Sequence, residues 1–532
     1  MHSFTRRSFL KTSALVTAGA AFSARSWAQV AGSNSDLRVA VVGLNGRGKS
    51  HISSLSRISG VRIVALCDVD TAVLERTKAN LAASIAKNSD TDTDPAAVER
   101  AKARLAAAAA GIKTYVDLRE LLASPDIDAV TIATPNHLHA LLAIWALQAG
   151  KDVYVEKPIS HNIWDGRQLV TAAAKYNRVV QTGTQIRSGA GLQEAVAWVQ
   201  AGNLGKVTAS RGFCYKRRDS IGKVDGPQQV PSTVNYDLWA GPAPLDPLTR
   251  RKLHYDWHWV HVTGNGDVGN QGIHQMDVAR WFLGEAGLPR QTLSVGGRLG
   301  YVDDGNTPNT QVVIHDYPSA PLIFEVRGLP AKPGAAATGG GDDDEPKGKK
   351  GSAMDNYRGV GVGNVVDCEG GSVIVPSYTS ATAYDKAGKI VKEFKGGDRH
   401  MQNFIDVVRS RKVANLYGPI AEGHLSSALC HLGNISHVLG KTAGPDVVRE
   451  KVKGNAPLAE AYGRMAEHLA KNGVDLAKTP LTYGVPLTLA PKNAEKFVGE
   501  FAKEANPLLT RQYRAPFVVP DLSVAAKGVA TS

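Results

Sequence analysis

The sequence predicts an α/β protein with an N-terminal Rossmann domain and a C-terminal α/β domain built on a large, mostly antiparallel open sheet. Three observations support this fold class. After residue 36 the chain runs through an apolar strand, a glycine-rich turn, a helix and a second strand that ends in an acid. Buried strands then alternate with helices up to about residue 188. From about residue 190 the strands lengthen and alternate polar with apolar residues, which indicates an antiparallel sheet.

The length of 532 residues suits two or three domains. Changes in residue pattern divide the chain into a signal peptide over 1–28, the Rossmann domain over 36–188 and a substrate and oligomerisation domain over 189–440. An extension over 441–532 ends in a Pro-punctuated run that we expect to wrap the body. Residues 330–352 are rich in Gly, Asp, Lys and Pro, which predicts a flexible surface loop.

The first segment has the features of a twin-arginine signal peptide. Thr5-Arg6-Arg7-Ser8-Phe9-Leu10-Lys11 precedes a short apolar run from Ala14 to Phe22 and a small-x-small cleavage site at Ser26-Trp27-Ala28. This route exports folded proteins, so it suits a protein that takes up a cytoplasmic cofactor first. We therefore predict a periplasmic or secreted protein with no membrane insertion after the signal peptide is cleaved.

Charge and cysteine content narrow the possible partners and site types. The formal net charge is +13, and cleavage of the signal peptide with its four cations leaves +9. The sequence has no basic stripe interleaved with aromatic residues, so a nucleic-acid partner is not expected. The four cysteines are far apart, which excludes zinc-type spacing and predicts buried thiols, with one disulfide left open in an oxidising compartment.

The glycine-rich turn predicts a dinucleotide site. The strand Leu37–Gly43 leads into Gly43-Leu44-Asn45-Gly46-Arg47-Gly48 and a helix that begins near Lys49. Gly43 permits the tight turn, and Gly46 or Gly48 lets the backbone approach a pyrophosphate at the helix N-terminus. Asn45 stands where the usual fingerprint has its second glycine. Asp68 follows the second strand at the position where an acid binds the adenosine ribose, which favours NAD over NADP.

Polar residues follow the later strands of the same sheet. Because ligands lie beyond the carboxyl ends of parallel strands, we assign the residues after these strands to the cofactor pocket. His137 and His139 could form a metal pair, but no third ligand follows at the required spacing, so no metal site is predicted. The predicted cofactor residues in this group are Thr134, Pro135, Asn136, His139, Glu156, Lys157 and Gln185.

The short strand Val153–Val155 ends in Glu156-Lys157-Pro158. Pro158 restricts Lys157 to extended backbone geometry, so the lysine side chain is aimed in one direction. Taken alone, such a turn is more often a solvated loop. Its place between the glycine-rich turn and a histidine-bearing segment favours a functional lysine.

The second half of the chain contains aromatic and histidine-bearing segments. Trp257 and Trp259 could be platforms for sugar rings or could belong to the core. Asn270, His274 and Asp277 have the spacing of one helix face, and His274 could equally be a structural histidine. We expect helices on one face of the second sheet and a partner subunit or a substrate on the other.

These motifs resemble the glucose-fructose oxidoreductase / inositol dehydrogenase / MocA (Gfo/Idh/MocA) family. The resemblance covers about residues 36–440, and the tail is similar to a secreted bacterial subgroup. The motifs that carry it are Gly43–Gly48, Cys67-Asp68-Val69-Asp70, Thr134-Pro135-Asn136-His137, Glu156-Lys157-Pro158, Asp237-Leu238-Trp239 with Gly241-Pro242, and the glycine-rich run that ends at His274.

The resemblance implies NAD(P)-dependent chemistry on sugars, polyols or glycosides, often in a homo-oligomer. The family's catalytic lysine corresponds to Lys157 and its histidine to His274. Its catalytic aspartate corresponds to Asn270, which cannot carry a proton, so His274 or Lys157 would act as the base alone. We expect substrate contacts from Tyr236, Trp257, Trp259, Arg187, Gln271 and Asp277.

Three functional hypotheses follow. The first is an exported oxidoreductase that transfers hydride from a sugar carbon to tightly bound NAD, with NADP less favoured. The second is an NAD-dependent glycosidase that oxidises the ring transiently, eliminates the aglycone, adds water and returns the hydride. The third is a carbohydrate-binding protein without catalysis, which the joint presence of Lys157 and His274 disfavours.

Overall fold

A computed structural model describes residues 36–84, 94–331, 354–491 and 494–522. The predicted signal peptide and most of the predicted loop over 330–352 lie outside these residues.

The first domain is a doubly wound sheet of six parallel strands in the order β3-β2-β1-β4-β5-β6, which confirms the predicted Rossmann domain. The carboxyl ends of the central strands are in register: Val42 of β1 pairs with Cys67 of β2 and with Ile132 of β4. Strand order reverses between β1 and β4, and this switch point is where such sheets bind ligands. The elements of this domain are β1 (Leu37–Val42), α1 (Gly48–Arg57), β2 (Val61–Cys67), α2 (Thr71–Ala79), α3 (Pro95–Ala108), β3 (Lys113–Tyr115), α4 (Leu118–Leu122), β4 (Ala129–Ile132), α5 (Asn136–Gln148), β5 (Asp152–Val155), α6 (Ile163–Lys175) and β6 (Val180–Thr182).

Apolar strands and helix stripes build a core on both faces of this sheet. Ala40 and Val130 face α4 and α5, whereas Val39 and Val41 face α1. This alternation from a continuous apolar run is expected of parallel strands that are buried on both sides. The helix α12 (His400–Ser410) returns to this domain, where Met401 packs in the same core as Val39. The first domain therefore includes a segment that lies beyond its predicted end at residue 188.

The second domain is a twelve-stranded sheet whose main path runs β14-β13-β12-β11-β7-β10-β9-β8-β16-β15. Its neighbouring strands pair antiparallel except β7 and β10, which are parallel. This agrees with the predicted, mostly antiparallel sheet. Its remaining elements are α7 (Ala190–Gln200), β7 (Val207–Tyr215), α8 (Tyr236–Ala240), α9 (Leu253–Asp256), α10 (Gly266–Asn270), α11 (Gly272–Leu283), β8 (Gln291–Gly297), β9 (Thr310–Asp316), β10 (Leu322–Arg327), β11 (Val362–Cys368), β12 (Gly371–Val375), β13 (Ser380–Asp385), β14 (Ile390–Lys395), α13 (Ile420–Val438), β15 (Lys441–Ala443), α14 (Pro445–Val452), α15 (Ala456–Lys471), β16 (Leu481–Tyr483), β17 (Leu487–Ala490), β18 (Ala494–Val498) and α16 (Ala502–Ala505).

Both faces of the central strands are covered by this chain. Leu322 and Phe324 of β10 pack against α11 and α13, whereas Ile323 between them points the other way. On that second face Ile323 joins Leu458 and Met465 of α15 in one apolar cluster. The expectation that a partner subunit or a substrate covers the second face is therefore wrong at β10. A homo-oligomer remains a prediction.

Ion pairs between buried charged residues hold α15 in place. Glu325 of β10 is fully buried and accepts hydrogen bonds from Arg327 and Arg464. His468 of α15 contacts Asp355 at 2.6 Å. Buried ion pairs of this kind stabilise only when every charge has its partner, so these residues fix the position of α15.

The last described residues cross back to the first domain. Phe517, Val519 and Leu522 pack into the Rossmann core beside α5 and α6. The backbone N–H of Leu522 donates to the Gln168 side chain at 2.7 Å. We call residues 511–522 the C-terminal strap.

All four cysteines are buried free thiols, which confirms the prediction of buried thiols and leaves no disulfide among them. Within the described ranges, none of the helices combines the length and apolar character needed to cross a membrane.

Candidate functional site

One cleft runs along the carboxyl edge of the first sheet and continues towards the second domain. The first domain supplies its cofactor end, and segments around α8 to α10 supply the other end. Of the predicted cofactor residues, all but Gly48 and Gln185 line it. The residues that line the cleft include Gly43, Leu44, Asn45, Gly46, Arg47, Asp68, Val116, Leu118, Thr134, Pro135, Asn136, Leu138, His139, Leu142, Trp145, Glu156, Lys157, Lys216, Leu238, Trp239, His254, Tyr255, Trp257, His258, Asn270 and Phe517.

The glycine-rich turn needs glycine at two positions. Gly43 has φ +82°, and a Cβ there would lie 2.6 Å from the Ala133 carbonyl oxygen. A Cβ at Gly48 would collide with the carbonyl oxygen of Gly43, so Gly48 permits the close packing of the turn on α1. A Cβ at Gly46 would meet nothing within 4 Å, because that residue faces open space. These contacts keep the turn tight and leave its outer side accessible.

Asp68 is held beside this turn. Its carboxylate accepts hydrogen bonds from the backbone N–H groups of Leu44 at 2.8 Å and Asp70 at 3.0 Å. Burial raises the pKa of Asp68 and these two donors oppose the rise. A carboxylate fixed at the end of β2 suits a ribose with two hydroxyls. The tight turn, the open side at Gly46 and the placed carboxylate together fit a bound NAD.

Glu156 ties the glycine-rich turn to the end of β5. Its Oε1 accepts hydrogen bonds from Arg47 Nε and His51 Nε2, both at 3.0 Å, and lies 3.4 Å from Gln185 Nε2. Burial opposes ionisation, but the Arg47 guanidinium and the His51 hydrogen bond lower the pKa of Glu156 well below its ordinary value. Gln185 therefore supports Glu156 from behind the cleft and does not line it, unlike its predicted role.

The segment after β4 is held by backbone carbonyls. The two ring nitrogens of His139 lie 2.6 Å from the Pro158 oxygen and 2.7 Å from the Thr134 oxygen, so the ring bridges the ends of β4 and β5. His137 contacts the carbonyl oxygens of Thr263 and Trp239. Among the described residues, no group of three or more His, Cys, Asp or Glu side chains is arranged to hold a metal ion.

Lys157 lies on the wall of the cleft where the two domains meet. The peptide bond between Lys157 and Pro158 is cis. The residue is only 7% exposed, and its Nζ donates a 2.7 Å hydrogen bond to the backbone carbonyl oxygen of Asn270. Both residues line the cleft. The structure thus brings the predicted lysine and the residue in the aspartate position together, but through the Asn270 backbone.

His274 is not where the sequence places it. The helix that was expected to carry Asn270, His274 and Asp277 is broken at Gln271, because α10 ends at Asn270 and α11 begins at Gly272. His274 is 1% exposed, and its ring packs against Tyr378 with centroids 5.3 Å apart. His274 is not among the described residues that line the cleft. Its predicted role as the base facing a substrate is therefore not supported.

Most of the predicted substrate contacts lie outside the cleft. Trp257 lines it, but Trp259 is buried under the Arg218 guanidinium, 4.9 Å from its ring, and Tyr236 stacks on Trp239. The sequence pattern could not separate these rings, because core and ligand-facing tryptophans share the same residue type.

The polar residues predicted to contact substrate are engaged elsewhere. Arg187 and Asp277 form a buried ion pair with Nε and Oδ2 2.8 Å apart. The Arg187 guanidinium and its hydrogen bond hold the pKa of Asp277 below its ordinary value despite burial. Gln271 donates to the Tyr378 hydroxyl at 3.0 Å. None of these three residues is among the described residues that line the cleft.

His258 lines the cleft and was missed by the sequence analysis. Its Nδ1 lies 2.7 Å from the Tyr255 carbonyl oxygen, which can only accept, so Nδ1 carries the hydrogen and Nε2 keeps its lone pair. Burial, followed by the positive charges of Arg218 and Lys157, lowers the pKa of His258 to about 3. The only sequence signal was its place in the run from His254 to His261, which the tryptophans on either side obscured.

Two family models match this chain. An oxidoreductase-family model for an NAD-binding Rossmann fold matches residues 91–184, and one for the same family's C-terminal α/β domain matches residues 193–297. These two stretches match the two domains of the Gfo/Idh/MocA oxidoreductase family. This confirms the resemblance drawn from the motifs.

Curated proteins are similar to this chain over part of their length. Levoglucosan dehydrogenase of Pseudarthrobacter phenanthrenivorans is 28% identical over 38% of this chain and 47% of its own length. Inositol 2-dehydrogenase 3 of Saccharopolyspora erythraea is 30% identical over 35% and 46%. A glycosyl hydrolase family 109 protein of a Shewanella strain is 31% identical over 33% and 38%. The chain thus spans less than half the length of these relatives.

Solved structures share the fold of this chain. The WlbA dehydrogenase from Chromobacterium violaceum, solved in complex with NADH and UDP-GlcNAcA, has a TM-score of 0.50 and 19% identity, and covers 76% of this chain and 94% of that one. An NAD-binding oxidoreductase from Klebsiella pneumoniae has a TM-score of 0.50 and 18% identity, and covers 76% of this chain and 97% of that one. At this identity the likeness concerns the fold alone.

Proposed function

We propose that this protein is an NAD-dependent oxidoreductase that removes a hydride from a hydroxyl-bearing ring carbon of a sugar, polyol or glycoside. One observation carries the proposal: a single cleft joins the glycine-rich turn and Asp68 to Lys157. The cofactor end and a buried, aimed ammonium group are therefore on one continuous surface. Asp68 supports NAD as the preferred cofactor, because a carboxylate at this position repels a 2′-phosphate.

Lys157 is the residue placed to act on the reacting oxygen. Its Nζ donates to the Asn270 carbonyl oxygen, and both residues line the cleft. Once Nζ has lost a proton to solvent, it can take the hydroxyl proton as the hydride leaves the ring carbon, and the ammonium group that forms stabilises the product carbonyl oxygen. When bound, NAD⁺ supplies the hydride acceptor for this oxidation. The Asn270 carbonyl orients the ammonium group without itself moving a proton.

His258 is a second polar group for the substrate end. Its Nε2 lone pair is available across neutral pH because the pKa of the ring is about 3. At that pKa the ring orients a substrate hydroxyl as a hydrogen-bond acceptor and does not store its proton. We assign this contact to His258 in place of His274, which lies outside the cleft lining.

The twin-arginine pattern at Arg6 and Arg7 motivates a proposal for location, namely folded export to the periplasm or beyond. An exported enzyme cannot draw on the cytoplasmic pool of NAD. It would need either to retain its cofactor through many turnovers or to couple oxidation with reduction. Fractionating cells that express the full chain, and a variant with Arg6 and Arg7 changed to Lys, tests this: retention of the variant in the cytoplasm is expected.

The redox-neutral glycosidase is the second candidate. The similarity to a glycosyl hydrolase family 109 protein favours it, as does the export pattern, because a cofactor that regains its oxidation state needs no external supply. The oxidoreductase and the glycosidase would use the same cofactor end of the cleft and Lys157. They differ in their products: the first yields reduced cofactor and the second releases the aglycone.

A panel of free sugars and aryl glycosides, mixed with the folded protein and NAD⁺, tests the proposal. Accumulation of reduced nicotinamide without aglycone release is expected for the oxidoreductase. Aglycone release without net reduction identifies the redox-neutral glycosidase. Bound NAD with neither reaction across the panel, and sugar binding retained, would contradict both and leave a binding protein.

A further inference from the structure

The C-terminal strap, residues 511–522, is fastened at both ends. Arg511 donates to the Val262 carbonyl oxygen at 3.1 Å. Arg514 pairs with the Asp237 carboxylate and also donates to its backbone oxygen at 2.7 Å. At the far end, the backbone N–H of Leu522 donates to Gln168. The strap therefore connects the α8 segment of the second domain to α6 of the first.

Between these anchors the strap places Phe517 in the wall of the cleft. Phe517 is 2% exposed, and its ring lies 6.1 Å from that of Trp145, centroid to centroid. The guanidinium carbon of Arg119 lies 5.6 Å from the Phe517 ring and that of Arg514 lies 4.8 Å from it. Such stacked cations and rings hold an aromatic side chain in one orientation.

Phe517 belongs to the adenosine half of the cleft. The walls beyond Asp68 are formed by Val116, Leu118, Leu142 and Trp145 of the first domain, and Phe517 closes this apolar group. An adenine ring is flat and apolar on its faces, so it binds between such side chains. A segment that follows the second domain thus contributes to a pocket of the first.

We propose that the C-terminal strap forms the outer wall of the adenosine pocket and slows release of the dinucleotide, with Phe517 as the contact residue. The inference rests on the proposed function, since it requires that this cleft bind NAD. A strap that slows release gives a physical reason for the protein to retain its cofactor. The strap lies outside the segments matched by the family models, residues 91–184 and 193–297, so neither model accounts for it.

The test is the rate of NADH release, measured by displacing bound NADH with excess NAD⁺ and following nicotinamide fluorescence. Phe517→Ala is expected to speed release about tenfold, because affinity changes within one interface act mostly on the off-rate. Val519→Ala is the matched control: Val519 is also a buried strap residue, but it is not among the described residues that line the cleft. Its release rate should stay near that of the unmodified protein.

Arg514→Gln is a second variant that leaves the Phe517 ring intact and makes no core cavity. Loss of its pairing with Asp237 should loosen the strap and speed NADH release by several-fold. Circular dichroism and melting temperature establish that each variant is folded.

Equal release rates for the unmodified protein, Phe517→Ala and Arg514→Gln would overturn the inference while the proposed function stands. Equal acceleration by Val519→Ala and Phe517→Ala would also overturn it, because the effect would then follow strap packing and not the pocket wall. Failure of the unmodified protein to bind NADH at all would overturn the proposed function and this inference with it.

Discussion

The ammonium group of Lys157 donates a 2.7 Å hydrogen bond to the backbone carbonyl oxygen of Asn270. The contact joins the end of β5 in the first domain to the end of α10 in the second. Because the acceptor is a backbone oxygen, the orientation of Lys157 does not depend on which side chain occupies position 270. The departure from the family's aspartate at this position therefore does not remove the lysine from its place.

Substitutions at Asn270 test this independence. Asn270→Ala should lower kcat by less than about tenfold, because the backbone carbonyl that orients Lys157 remains in place. Asn270→Asp should also keep activity and shift the pH dependence of kcat, because it adds a negative charge to the residue whose backbone contacts the Lys157 ammonium group. Steady-state kinetics on a sugar identified in the panel provides both values. A loss of Asn270→Ala activity as large as that of a Lys157 variant would show that the side chain itself is required.

Substitutions at His258 and at His274 should have different effects on the kinetics. His258→Phe is expected to lower kcat/KM about tenfold, because phenylalanine keeps a ring but removes the hydrogen-bond acceptor at the substrate end. His274→Gln serves as the comparison and should change the melting temperature more than kcat/KM, since this buried ring packs against Tyr378. The reverse ranking would restore His274 to the role that the sequence assigned to it.

Asp68 should set cofactor affinity and choice. Asp68→Ala removes the carboxylate that faces the ribose and should weaken NAD binding about 10- to 100-fold, as expected for hydrogen bonds to a charged group worth about 1.5 to 3 kcal/mol. Binding of NADP should weaken much less, or improve, because the charge that repels a 2′-phosphate is gone. Isothermal titration with each dinucleotide measures both affinities, and unchanged NAD affinity would contradict the assignment of Asp68.

Acid stability should depend on Glu495 of β18. Its Oε1 contacts His424 Nε2 at 2.6 Å and Arg167 Nε at 3.1 Å. Burial opposes ionisation, but these hydrogen bonds lower the pKa of Glu495 from its ordinary value of 4.5 to about 2. A lowered carboxyl pKa stabilises the folded state above the unfolded value, and this stability is lost as the pH falls from about 4.5 towards 2.

Glu495→Gln should therefore lower the free energy of unfolding by about 1.5 to 3 kcal/mol near neutral pH, with a difference that shrinks below about pH 4.5. Denaturant unfolding at a series of pH values measures it. The exposed Glu500, changed to Gln, is the control and should leave stability nearly unchanged. A difference that stays constant from neutral to acid pH would show that the charge of Glu495 is not the cause.

The sequence was sufficient to predict the features that depend on local patterns. The strands Leu37–Val42 and Val61–Cys67 follow from apolar runs, and the turn between Gly43 and Gly48 follows from positions where a Cβ would collide with backbone. The place of Lys157 follows from strand topology, because the carboxyl ends of parallel strands meet at one edge.

Features that depend on side-chain direction or on distant segments could not be predicted in the same way. The helix expected to carry Asn270 and His274 is interrupted at Gln271, and of the two only Asn270 is among the described residues that line the cleft. Arg187 and Asp277 neutralise each other in a contact between residues ninety positions apart. Ile323 is covered by α15, and Phe517 reaches the cofactor cleft from the end of the described chain. Periodicity alone carries no signal for such long-range packing.

We propose that Lys157 acts on substrate at the end of an NAD-binding cleft. The most direct measurement compares the unmodified protein with Lys157→Met for NADH binding by fluorescence and for reduction of NAD⁺ by a sugar from the panel. We predict NADH affinity within about threefold and a loss of turnover of about 10²- to 10⁴-fold, as for removal of a group that acts in the transition state. Turnover that persists in Lys157→Met with normal cofactor binding would contradict this role of Lys157.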